Sequence, residues 1–244
     1  MNNDLLFLSG NDIPFTGAQV TIHQPTIKEI AYIGEEAFFT GCELINFSKN
    51  NLEEQDKIRL VDRTDFDILI AILKERNAVM QKNRNCVEMV LALIFPTYSF
   101  SFEENCILLK DNDKAYYINN ENFEQFKGIF NKMFSFEKNI EEDYNPSGDM
   151  AKRIAEKLNE RHKKLAAAKG DAKPKIDILS RYISILSVAE QKDMNSLLQY
   201  TVYQLFDEFE RYRLKLDYDI YLQATMAGAK DLKEVEDWMK DIHS

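Results

Sequence analysis

Histidine, cysteine and tryptophan are scarce in this chain: among 244 residues there are three His, three Cys and one Trp. His23, His162 and His243 lie far apart, and no CxxC or HxxxH spacing occurs, so the close ligand pairs from which zinc sites are built are missing. Three cysteines, Cys42, Cys86 and Cys106, are an odd number at long spacings among apolar neighbours. They exclude a disulfide framework and read as reduced cysteine of a core, which fits a reducing cytoplasm. Glycine loops that cradle phosphate are absent as well, since neither GxGxxG nor GxxxxGK[ST] occurs, and no GxSxG marks a nucleophile. The adjacent carboxylates Glu35-Glu36, Glu53-Glu54 and Glu103-Glu104 diverge on a helix or strand instead of converging on one substrate atom. The expectation is a protein with no catalytic residues, no cofactor and no metal, and hence not an enzyme.

Long apolar runs are also lacking. The longest, at 89–95, stops at Pro96, far short of the roughly 20 residues that span a bilayer. At the start of the chain Asp4 stands where an export signal needs positive charge, and the apolar run covers only Leu5 to Leu8. A soluble, cytoplasmic protein is expected. A net charge of -10 repels phosphate backbones as a whole and disfavours nucleic acid as a partner. With 8 Gly and 5 Pro there are few breakers, so long helices should dominate.

What is present divides at residues 141–149, where a charge run meets Asn-Pro and Ser-Gly, the composition of a linker. Residues 1–140 then form a mixed α/β domain and 150–244 a helical one. In the first domain, residues 17–22 alternate as a short strand, and Pro25-Thr26 opens a helix through Phe38 that Gly34 and Gly41 are placed to interrupt. Residues 65–75 and 80–95 are expected to form core helices. Alternation at Tyr98, Phe100 and Phe102, followed by apolar runs at 106–109 and 115–118, predicts a small antiparallel sheet. Asp111, Asn112 and Asp113 sit between its last two strands as a hairpin turn. As a calcium loop the segment fails, with Tyr116 at the sixth position instead of glycine and Asn122 at the twelfth instead of glutamate. Phe123, Phe126, Phe130, Met133 and Phe134 recur at helical spacing, an aromatic stripe to cover a face of that sheet.

The second domain reads as helices at 150–169, 176–189, 194–226 and 232–242. The first carries the basic cluster Lys152, Arg153, Lys157, Arg161, Lys163 and Lys164, interspersed with Glu156 and Glu160 as an i,i+4 ladder. In the long helix Leu198, Val202, Leu205, Phe209, Tyr212, Leu216 and Ile220 keep a three-four rhythm. Its surplus tyrosines, Tyr203 and Tyr221 among them, suit a second buried face or an interface. The last helix sets Val235 and Met239 on an apolar stripe beside Trp238, behind the break at Ala227-Gly228-Ala229. Trp238, Met239, Val235, Tyr203 and Tyr221 are therefore the candidate protein-binding residues. The fold class expected is α+β and mainly helical, with a small antiparallel sheet in the first half and an all-helical second half.

Two segments, QPTIKEIAYIGEEAFF at 24–39 and the stretch at 176–242 that includes LLQYTVYQLFDEFERY and KEVEDWMKDI, resemble tail assembly chaperones and related tail-morphogenesis proteins of tailed bacteriophages. The resemblance implies a non-enzymatic helper, made in the cytoplasm of the infected host, that binds the tape measure protein and tail tube subunits. The alternative it leaves open is a structural subunit of the virion tail or baseplate.

Overall fold

The structure, a computed structural model, describes residues 4–49, 60–75, 77–136, 178–229, 235–240 and 242. Contacts divide the chain into two units, Met1–Glu137 with Leu179–Phe206, and Lys138–Ile178 with Asp207–Ser244. The sequence pattern joins everything from 150 onward into one domain, whereas the contacts place Leu179–Phe206 with the front half. The expected linker at 141–149 and the basic helix at 150–169 lie outside the described residues. The described residues hold nine helices and two small antiparallel sheets, with strands in the first half and helices in the second. No described helix is long and apolar enough to cross a membrane.

The first unit starts with α1 (Asp4–Ser9), β1 (Ile13–Phe15) and β2 (Val20–Ile22). The two strands pair antiparallel, Ile13 opposite Ile22 and Phe15 opposite Val20. Thr26 opens α2 (Ile27–Ile33) through a capping box, its hydroxyl accepting from the Glu29 N–H while the Glu29 carboxylate accepts from the Thr26 N–H at 2.7 Å. At Gly34 the helix stops and α3 (Glu35–Ile45) begins, so one expected helix is two. Gly41 lies inside α3 because α5 (Ala78–Ile94) crosses it closely: a Cβ there would stand 2.5 Å from the Cys86 carbonyl oxygen. Between them runs α4 (Asp65–Lys74), opened by a second capping box at Thr64 and Asp67. Pro96 follows α5 directly, which cannot continue past Phe95.

Strands β3 (Ser99–Phe102), β4 (Cys106–Asp111) and β5 (Lys114–Asn119) form the expected sheet in that order. Asp111 pairs with Lys114, so Asn112 and Asp113 make a two-residue turn, Asn112 in the left-handed region at φ 51°. Asparagine tolerates that conformation, which is the physical content of the turn signal. The aromatic stripe on α6 (Phe123–Met133) does more than cover a sheet face. Phe123 meets Phe66 of α4 at 4.9 Å, Phe126 meets Phe15 of β1 at 5.9 Å, and Phe134 beyond the helix end meets Phe38 of α3 at 5.0 Å. One stripe thus ties three separate elements into a common core.

A buried charge sits beside that core. The Lys127 ammonium of α6 donates to the Phe47 carbonyl at 3.0 Å and to Asp65 at the start of α4 at 3.3 Å. Burial pushes the Asp65 carboxyl up, but the Lys49 N–H and the Lys127 charge outweigh it and hold the group below its ordinary 3.8. Asp67 is held low by the Thr64 N–H and the Asn120 amide.

The remainder of this unit is α7 (Ile178–Ala189) and α8 (Met194–Leu198), with the first turn of α9 (Val202–Met226). Leu179, Tyr182, Ile183 and Leu186 form the buried face of α7. Its Leu179 N–H donates to Glu35 at 2.8 Å. The expected single helix over 194–226 is broken at 199–201. Thr201 pairs as an isolated β-bridge with Thr26, and the Tyr200 carbonyl accepts from the Ile27 N–H at 2.8 Å. Backbone groups committed to that pairing cannot also continue a helix.

Candidate protein-binding surface

α9 restarts at once because Thr201 and Gln204 form a capping box: Gln204 accepts from the Thr201 N–H at 2.8 Å, and the Thr201 hydroxyl accepts from the Gln204 N–H at 3.3 Å. The helix then runs for 25 residues, about seven turns. Along it the apolar stripe changes character. Val202 is 1% exposed and Leu205 0%, whereas Leu216 is 42% and Ile220 55% exposed. Further along, Leu222 is also exposed and Met226 reaches 87%. A run of exposed large apolar groups on one helix makes this end of α9 the candidate contact surface.

The helix ends by a C-terminal motif that its sequence encodes. Gly228 adopts φ 81°, and the Ala229 N–H reaches back to the Ala224 carbonyl at 3.0 Å, the pattern of a Schellman stop. Ala227-Gly228-Ala229 is therefore a defined cap and not a loose hinge.

Beyond it the structure corrects an expectation: 235–240 forms irregular backbone and a turn, not part of a helix over 232–242. The Asp237 carboxylate accepts from the Met239 N–H at 2.9 Å, an Asx turn that competes with helix for the same donor. Arg211 of α9 fixes the turn by donating to the Trp238 carbonyl at 3.0 Å and the Lys240 carbonyl at 2.5 Å. The turn thus sits fifteen positions back from Met226, about 22 Å along the helix. Lys240 pairs with Glu236, and its ammonium holds the Glu236 carboxyl below its ordinary range. No motif marks Arg211 as a clamp, and a single arginine on a helix face gives the sequence reader no signal of it.

The candidate residues fall into two groups. Tyr203 is in the core of the first unit, 4% exposed, its ring 5.4 Å from Phe7 and its hydroxyl 3.4 Å from Asp4. It is a packing residue. Trp238, Val235 and Tyr221 are half-buried, and Met239, on the tip of the Arg211-held turn, is 69% exposed. Leu216, Ile220, Leu222 and Met226 belong with this exposed group. The three-four rhythm picks out the first two, but it does not distinguish an exposed stripe from a buried one.

Among the described residues no group of three His, Cys, Asp or Glu is placed to hold a metal ion. Cys42 and Cys86 are buried, and burial pushes the Cys42 thiol well up; Cys106 is half-buried, less enclosed than a core cysteine. His23 sits between Asp12 at 2.9 Å and Glu29 at 3.4 Å, beside the capping box of α2.

Neither a curated protein nor a solved structure matches the chain. Residues 168–243, which contain α7, α8, α9 and the Arg211-held turn, match the family model of the YomV second domain, a phage-derived family in which YomV is a Bacillus prophage protein.

Proposed function

We propose that the chain is a phage tail assembly chaperone, a non-enzymatic protein that binds the tape measure protein and tail tube subunits in the host cytoplasm. One observation carries this reading: within the segment similar to a phage-derived domain, α9 presents large apolar side chains to solvent at Leu222 and Met226, and the adjoining turn presents Met239. Exposed methionines are adaptable contacts, since an unbranched thioether repacks against varied surfaces. An elongated helical client offers such surfaces to a helix face. Coexpression with the tape measure protein of the same phage, followed by affinity capture, tests the reading. A chaperone co-purifies with that client and is absent from finished particles. Presence in particles at fixed copy number identifies a structural subunit instead.

A further inference from the structure

We propose that Arg211 is a positioning residue of the binding surface: it seats a preformed turn against α9 and so sets where Met239 stands. The inference rests on the client reading for its function and on the bonding of the turn for its geometry. Residues 236–240 close on themselves. The Lys240 N–H donates to the Asp237 carbonyl at 3.0 Å, the Met239 N–H donates to the Asp237 carboxylate at 2.9 Å, and the Lys240 ammonium pairs with Glu236. These contacts are local to the turn, so its shape does not depend on the helix.

Its seat does. Among the described residues, the hydrogen bonds that join the turn to α9 come from one atom, the Arg211 Nη1, which donates to the Trp238 and Lys240 carbonyls. Lys240 does most to hold the Glu236 carboxyl low, and the Arg213 guanidinium adds to it, so residue 236 lies towards Arg213 and residues 238–240 lie at Arg211. Both arginines and the turn belong to the second unit. A guanidinium suits the task, because it stays charged and its donors reach main-chain oxygens whatever side chains the turn carries. The side chains are left for a client: Met239 is 69% exposed at the tip, with Trp238 half-buried beside it. A contact residue already held in place loses less freedom on binding, which raises affinity.

Trp238 is the one tryptophan of the chain, so its emission reports the seating of the turn with no other contribution. Arg211→Ala removes the donors while keeping a strong helix former in α9. Its emission is expected to move to the red, its melting temperature to stay near the wild type, and capture of the tape measure protein to fall about tenfold. Arg211→Lys, whose ammonium retains donors for the same carbonyls, is expected to recover most of the capture. An unchanged emission maximum in Arg211→Ala overturns the proposal, and so does a shifted maximum with full capture. A merely structural role would lower the melting temperature of both variants and leave the emission of the folded protein in place, which also overturns it. A wild-type chain that captures no tape measure protein counts against the client reading alone, and the emission of Arg211→Ala then still decides whether Arg211 seats the turn.

Discussion

Val202 and Leu216 stand on one stripe of one helix, fourteen residues apart in the same three-four rhythm, yet the first is sealed in a core and the second faces solvent. The comparison separates two things that hydrophobic periodicity runs together. Spacing of apolar residues establishes that a segment is helical and which side is apolar. It does not say whether the covering surface belongs to the same chain. At the Val202 end the cover is provided by the first unit, whose capping threonine Thr201 is bridged to Thr26. At the Leu216 end the apolar groups are open, so the same periodicity leaves a helix face exposed instead of buried.

Truncation is the sharpest way to test that contrast. Leu205→Ala removes a fully buried side chain and is expected to cost about 2–5 kcal/mol, read as a lower midpoint in urea. Leu216→Ala, made at the same stripe and assayed in dilute solution, is expected to change stability by less than about 0.5 kcal/mol. Equal losses at the two positions would show that both ends are covered within one chain.

Gly41→Ala probes the covered region from a different side. The added methyl would collide with the Cys86 backbone on α5, and an overpacked helix crossing costs about 1–3 kcal/mol. Thermal unfolding of the variant measures it, and an unchanged melting temperature would mean that α3 and α5 do not approach so closely.

Acid should loosen the first unit with a defined sign. The carboxyls of Glu29, Asp65 and Asp67 are held below their ordinary values of 4.5, 3.8 and 3.8. For Glu29 burial acts upward, but the Thr26 donors prevail. Groups lowered on folding contribute stability that is complete above those ordinary values and is lost as pH falls through the lowered ones. Urea midpoints measured from neutral pH downward should therefore be level until the carboxylate range and then fall. In Asp67→Asn that part of the acid loss should shrink.

Much of the first unit was legible because its signals are local. Residues 65–75 and 80–95 carry helical periodicity, and the structure places α4 and α5 there. The Asp111-Asn112-Asp113 turn and the aromatic stripe of α6 follow from backbone tolerance and spacing alone. β1 was not legible, since three residues with Pro14 among them give no alternation to detect. The break at 199–201 was hidden by Leu197 and Leu198, which keep the rhythm running into α9. What interrupts the helix is a pairing with Thr26, far away in sequence, although the Thr201-Gln204 capping signature was present to be read. The turn at 235–240 escaped for a related reason: its backbone carbonyls are held by Arg211, a contact with no periodic signature. Of the candidate site, Tyr203 misled because a tyrosine with a polar tip suits a core rim as well as an interface.

The central proposal, that the exposed end of α9 and the turn held by Arg211 bind another protein, is tested most directly by a double variant, Met226→Glu with Met239→Glu, in the tape measure capture experiment. Both side chains are exposed and neither change buries charge, so the melting temperature is expected to match the wild type while capture of the client falls at least tenfold. Full capture by the double variant, at unchanged melting temperature, would contradict the account.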